Sequence, residues 1–276
     1  MTGQRVVVGV DGTLIAVRAL DWAAEEAERR GATLHILYAV ADQDEAGPVL
    51  AAAAARIRDH HPGLPVVTGA AEGTAVPALV RESEGAALTV VGTRGLGRVT
   101  GTLFGSVSLR LAGHTHSPLL VVRGDHRCDG GREVLLGLES DTDADAAAYA
   151  FQEAERRGAR LTVLHAWSHR HETPELPSLL PGTSPAQRDA ARREAGEEAV
   201  GRFDVAELRQ RHTGVGVATV TVRTDPAHAL LEKTREAGLV VIGARRHGHG
   251  STPRLGTVGH ALLHRSHCPV VVVPAR

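Results

Sequence analysis

Aromatic residues make up only 3% of this 276-residue chain, so its core has to be built from alanine, valine and leucine. Cysteine is nearly absent: Cys128 and Cys268 stand far apart, which excludes a disulfide framework and a thiolate metal knuckle. Lysine occurs once, at Lys233, and arginine supplies nearly all the basic charge. The formal net charge of −1 gives no basic excess for holding nucleic acid by counterion release. No apolar run approaches the roughly 20 residues that span a bilayer, so no membrane partner is expected. The opening stretch MTGQRVVVGVDG lacks the apolar segment of a signal peptide, and a cytoplasmic protein is the expectation.

What is present is repetition. EEAERRGATLHILYAV (25–40) matches QEAERRGARLTVLHAW (152–167), and VVVGVDG (6–12) matches VLLGLES (134–140). ALTVVGTRG (87–95) matches GLVVIGARR (238–246), and HSPLLVV (116–122) matches HCPVVVV (267–273), in the same order. This is a tandem duplication of a domain rather than a short solenoid repeat. The polar, glycine-rich GDHRCDGGR (124–132) reads as the linker. The expected domains are 1–124 and 132–276.

Each half alternates apolar strands with helical stretches. In the first half, strands are predicted at 5–10, 33–40, 65–70, 88–91 and 119–122, and helices at 14–30, 46–60, 74–84 and 106–112. Gly31 is placed to stop the first helix. The second half repeats the strands near 133–138, 160–166, 216–222, 239–242 and 270–273. A helix is expected over 185–211, capped by Ser184 with Pro185 in its first turn. Alternation of this kind implies an α/β fold, doubly wound, with a parallel sheet covered on both faces. Ligands of such sheets bind beyond the carboxyl ends of the strands.

At one such end stands GTRGLGRVTGTLFGS (92–106), spaced Gly92-x2-Gly95-x9-Gly105-Ser106. Glycines admit close approach of ligand oxygens, and a helix N-terminus offers unpaired amides and a positive dipole end. Together they form an anion cradle that needs no catalytic side chain. Ser106 is suited both to cap the helix and to donate to a phosphate, and Arg94 and Arg98 to add charge. A flexible surface turn is the alternative. The Gly-Lys-Ser/Thr ending of a Walker loop is missing, and the first strand ends in GVDGT rather than a dinucleotide fingerprint. A serine-hydrolase elbow is excluded because Ser108 stands where its second glycine belongs.

This spacing resembles the ATP-binding loop of the universal stress protein family, as do VVVGVDG, RGATLHILYAV and HSPLLVVRG at strands one, two and five. The resemblance covers nearly the whole chain, twice. It implies two tandem domains, each with a five-stranded parallel sheet of order 3-2-1-4-5, related to the adenine nucleotide alpha hydrolases. It also implies stress adaptation through ATP binding, with or without Mg2+, rather than turnover. A slow ATPase or self-phosphorylating enzyme and an interaction scaffold with a decayed pocket are the alternatives. Pairing of the apolar fifth strands is implied, as an intramolecular pseudo-dimer or a homo-oligomer, and a signalling protein is a further expected partner.

Carried over residue by residue, the resemblance puts Gly9 under the nucleoside and Asp11 on the ribose or the adenine amine. A turn-capping role for Asp11 is the other reading. The backbone of Ala39 or Val40 reads the adenine edge. Gly92, Thr93, Arg94, Gly95, Leu96, Gly97 and Arg98 cover ribose and phosphates, and Gly105, Ser106 and Val107 close the loop with amides. The second half offers Gly137, Glu139, Ala166, Gly243, Ala244, Arg245, Arg246, Gly256, Thr257 and Val258. Here Glu139 replaces the aspartate, and Arg246 replaces the second glycine of the loop. An arginine held at positive φ costs on the order of 1 kcal/mol or more, so half two is expected to bind less tightly if at all.

The sixteen histidines include His114 and His116, His169 and His171, and His247 and His249. None has acidic or thiol partners at firm metal-ligand spacing, so surface roles are expected. Cys128 is expected to be exposed and passive or redox-sensitive, and Cys268 buried.

Overall fold

Thr13 and Gly31 set the limits of the first helix in the computed structural model, which describes residues 4–41, 45–93, 106–123, 133–138, 143–166, 205–244 and 255–275. Thr13 is extended and its hydroxyl accepts from the Ala16 amide, while Gly31 adopts the left-handed conformation at φ 57°. Gly158 ends the equivalent helix of the second half, also at φ 57°. These are the cap chemistries that satisfy helix-end amides and carbonyls.

The first half runs β1 (Arg5–Val10), α1 (Leu14–Arg30), β2 (Thr33–Val40), α2 (Ala46–His60), β3 (Val66–Glu72), α3 (Ala75–Ser83), β4 (Leu88–Gly92), α4 (Ser106–Ala112) and β5 (Leu119–Val122). The second runs β6 (Glu133–Leu138), α5 (Ala144–Arg157), β7 (Arg160–Ala166), β8 (Val217–Val222), α6 (Pro226–Lys233), β9 (Leu239–Ala244), α7 (Thr257–Arg265) and β10 (Val270–Pro274). Residues 205–211 are also helical. They are the described part of the helix predicted over 185–211, and its cap at Ser184 and Pro185 lies outside the described residues. So do the linker and Cys128.

The strands form one ten-stranded sheet of order β3-β2-β1-β4-β5-β10-β9-β6-β7-β8. Each half therefore has the order 3-2-1-4-5 and is parallel throughout. The halves join where β5 and β10 pair antiparallel, Val121 opposite Val270 and Leu119 opposite Val272. LLVV and VVVV would be aggregation-prone as free edges, and pairing them merges two sheets into one. No helix among the described residues is long and apolar enough to cross a membrane.

Alternation along each strand feeds two cores. Val6, Val8, Leu34, Ile36, Val90 and Leu120 pack on one face with α1, α2 and α5. Val7, Leu37, Val91, Leu119 and Val121 pack on the other with α3, α4, α6 and α7. The repeat extends to side-chain ties. Ser83 Oγ accepts from the His116 amide at 3.0 Å, and Thr234 Oγ1 accepts from the His267 amide at 3.1 Å. Glu28 pairs with His61 at 2.9 Å, and Glu155 with His212 at 2.9 Å. Cys268 is 2% exposed; burial pushes its thiol up to about 12, the Ser266 hydroxyl opposing, so it is chemically quiet.

Over the β5–β10 seam, α1 and α5 meet through charge rather than oil. Glu26 and Glu153 are 1% and 0% exposed. Arg30 bonds Glu153 at 2.6 Å and the Tyr149 hydroxyl at 3.0 Å, and it also pairs with Glu26. Arg157 bonds Glu153 at 2.7 Å, pairs with Glu26, and lies 5.7 Å above the Trp22 ring. Two carboxylates and two guanidiniums thus close a buried quartet about the pseudo-two-fold axis. Burial pushes the Glu153 carboxyl up, but Arg30 and Arg157 outweigh it and hold it down at about 2. Burial likewise works against the charge on Arg30, and its anionic surroundings more than offset that.

Candidate functional site

The first half winds β1–β2–β3 to one side and β4–β5 to the other, so its switch point lies between β1 and β4. Beyond the carboxyl ends of these two strands opens a cavity of about 180 Å³. Gly9, Val10 and Asp11 from the end of β1, Leu37 and Ala39 from β2, and Val91 and Gly92 from β4 line it. Ala75 and Leu79 of α3, Val107 and Ser108 of α4, and Thr13, Ile15 and Ala16 at the start of α1 complete the wall. Its lining is apolar with a polar rim, the usual character of a small-molecule pocket.

Of the residues named from the sequence, Gly9, Asp11, Ala39, Gly92 and Val107 meet here. The others fare differently. Arg94, Gly95, Leu96, Gly97, Arg98 and Gly105 lie outside the described residues, as does the Ser106 side chain; Ser106 does begin α4. Thr93 continues the sheet instead: its amide donates to the Val122 carbonyl at 2.9 Å, so that donor is already engaged. The Val40 side chain packs against the core on the α1 and α2 face, and its carbonyl accepts from the Gly73 amide at 3.0 Å. Of the two base-reading candidates, only Ala39 lines the cavity.

Two of the residues also do structural work. Asp11 Oδ1 accepts from the Thr13 amide at 3.1 Å and the Thr13 hydroxyl at 2.6 Å. The turn role therefore holds, and it sets the Thr13 cap of α1. At Gly92 the glycine is demanded by packing: a Cβ there would sit 2.6 Å from Ile15 Cγ2 and 3.0 Å from the Ile15 carbonyl oxygen. Gly92→Ala is expected to lower stability by about 1–3 kcal/mol, the range for overpacking, read as a lower urea midpoint at unchanged slope. The loop glycine that looked free for a ligand is thus partly a seat for α1. Sequence reading missed the wall formed by Ile15, Leu37, Ala75 and Leu79. The signal was available, since Leu37 and Ala39 alternate on the same face of β2.

The second half carries a matching but smaller cavity of about 70 Å³. Gly137, Ala166, Gly243, Gly256, Thr257 and Val258 line it. Ala244 is buried, pairs with Pro274 and packs in the core. Glu139, Arg245 and Arg246 lie outside the described residues. Asp143, unnamed from the sequence, lines this cavity and is 7% exposed. His114 Nδ1 sits 2.7 Å from the Arg110 carbonyl, and His116 faces Glu84 at 3.7 Å. His169, His171, His247 and His249 are outside the described residues.

A model of the universal stress protein family matches residues 3–123 and again 131–274. The chain belongs to the universal stress protein family. The universal stress protein Rv2623 of Mycobacterium tuberculosis is 31% identical over 297 residues, covering 97% of this chain and 95% of that one. A universal stress protein of Mycolicibacterium smegmatis is 30% identical over 300 residues, covering 100% of this chain and 98% of that one. Both are similar over nearly their whole length, so the likeness spans both halves of this chain. A crystal structure of a universal stress protein from Archaeoglobus fulgidus superposes with a TM-score of 0.65 at 17% identity, covering 100% of both chains, a likeness in fold. In this universal stress protein the cavity at the first switch point is therefore the place to seek a ligand.

Proposed function

We propose that the first half binds an adenine nucleotide, and that the bound state, rather than turnover, is what the protein contributes to stress adaptation. The observation that carries this reading is the cavity itself, which opens at the switch point with Asp11 on its rim and the first turn of α4 in its wall. In this reading the base enters between Leu37, Ala39 and Leu79, where apolar side chains cover its faces. Asp11, anchored through one oxygen, presents the other to the ribose hydroxyls. The phosphates lie toward Val107 and Ser108, where main-chain amides at the start of α4 point outward. ATP is the nucleotide that the resemblance of the 92–106 loop favours. Mg2+ would travel with the triphosphate, since no group of three or more carboxylate, histidine or cysteine side chains among the described residues is placed to hold it.

A ligand bound only by the folded protein stabilises it by mass action, by about 2.7 kcal/mol at a hundredfold excess over Kd. That energy is what fixes the neighbouring loops, and so the surface offered to a partner. The cytoplasm, where ATP is abundant, is the setting for this role. Calorimetric titration of the dialysed full chain with ATP, AMP and GTP tests the reading. Saturable heat with the adenylates, accompanied by a rise in Tm, is expected. No heat and no change in Tm with either adenylate would overturn it.

A further inference from the structure

We infer that the chain is asymmetric in its ligand: it takes one nucleotide, in the first half, and four residues of the second pocket keep nucleotide out. This rests on the reading above and adds which half carries it out. The two cavities are mates under the pseudo-two-fold axis, with Gly9 corresponding to Gly137, Ala39 to Ala166, and Gly92 to Gly243 by strand register. Against that common frame, bulk is added at three places. Val10 becomes Leu138, Ala75 becomes Pro226, and Val91 becomes Ile242.

Ile242 matters most. A Cβ placed on Gly9 would meet Leu79 at 3.0 Å, so a leucine of α3 covers that floor. Over Gly137 the same position meets Leu230 Cδ1 at 3.0 Å and also Ile242 Cγ2 at 3.3 Å. The carbon that isoleucine adds over valine is Cδ1, and Ile242 Cδ1 stands 3.2 Å from where a Cβ on Gly259 would lie, so the added bulk fills the α7 side of the second cavity. One exchange removes bulk, Ser108 to Gly259, but Leu255 has filled the space: its Cγ is 2.6 Å from where a Cβ would stand. The cavity volumes follow, about 180 Å³ against about 70 Å³.

The fourth difference is polarity. Ile15 packs against Gly92, whereas Asp143 Oδ1 stands 2.5 Å from the position of a Cβ on Gly243. Asp143 stands six residues beyond Gly137, as Ile15 does beyond Gly9, so a carboxylate lies at the wall where half one has a hydrocarbon. The exchange of hydrocarbon for carboxylate changes the surface that this strand end offers to a ligand.

The chain supplies its own reporters, because it has four isoleucines: Ile15, Ile36, Ile57 and Ile242. Ile15 lines the first cavity and Ile242 the second. Full-length protein labelled at isoleucine δ1 methyls is titrated with ATP, and stoichiometry is measured in parallel by equilibrium dialysis. The expected result is one equivalent bound, the Ile15 methyl shifting and the Ile242 methyl holding still. Two equivalents, or an Ile242 shift that saturates together with or before that of Ile15, overturns the inference and leaves the proposed function standing. No binding and no shift at either methyl overturns the proposed function instead. The combined variant Leu138→Val, Asp143→Ile, Pro226→Ala, Ile242→Val is expected to gain a second equivalent. A folded variant that still binds one would remove these four residues as the determinants.

Discussion

Glu153→Ala is expected to lower the stability of the whole chain by about 3–5 kcal/mol, the range for removing one partner of a buried ion pair. Its carboxylate is shared by Arg30 and Arg157, with Arg156 at 3.4 Å on the outer edge. Without it, two guanidiniums remain in a site where the Arg30 side chain is 2% exposed, facing Glu26 alone. Replacing all four members together by apolar residues of similar size should cost far less, because no uncompensated charge is left behind. The contrast between the single and the quadruple replacement, read as urea midpoints, separates a quartet that fixes orientation from one that supplies net energy. The pH dependence has a defined sign. Glu153 is held at about 2 in the folded chain, below its ordinary value, so its contribution is complete above about pH 4.5. It is lost as pH falls from there toward about 2. Wild type should therefore lose stability across that window more steeply than Glu153→Gln does.

The quartet also shows what was legible in the sequence and what was not. EEAERRG stands out as the strongest internal match, and it was readable as a repeat. Its reason was not readable, because Glu26 and Glu153 come together only when the two halves are set face to face. The hint lay in the pattern: Glu26 follows the apolar face of Ala19, Leu20, Ala23, Ala24 and Ala27, with Arg30 one turn on. Strand and helix positions were largely legible, since apolar strands and glycine stops act locally. That LLVV and VVVV would pair followed from the family resemblance and from edges too apolar to leave bare; their antiparallel sense is seen only in the structure. What stayed hidden were close approaches. Gly92 was read for a ligand, and its packing against Ile15 depends on how α1 crosses β4. The narrowing of the second pocket was present in the text as Val10 and Leu138, or Val91 and Ile242. These are innocuous apolar exchanges until strand register shows that both reach the same cavity.

Ala39→Phe is expected to weaken adenine nucleotide binding at least a hundredfold, about 2.8 kcal/mol at 1.4 kcal/mol per tenfold. Ala39 stands at the end of β2 and turns to the cavity side of the sheet, packed beside the core that contains Leu37, Leu79 and Val91. A ring added there enters a space of about 180 Å³ and takes the volume proposed for the base. Folding should survive the change, because the ring meets apolar walls rather than a closed core, and burying it against Leu37 and Leu79 is favourable. Affinity and stability should thus move in opposite directions or independently, which a misfolded variant could not reproduce. The measurement pairs calorimetric Kd for ATP with the urea midpoint of the unliganded protein. If the variant binds ATP as wild type does while keeping its fold, the base is not where Ala39 points, and the cavity loses its assignment. If binding is lost with the midpoint held, the shape of this cavity, and not general charge attraction around the loop, decides what the first half recognises.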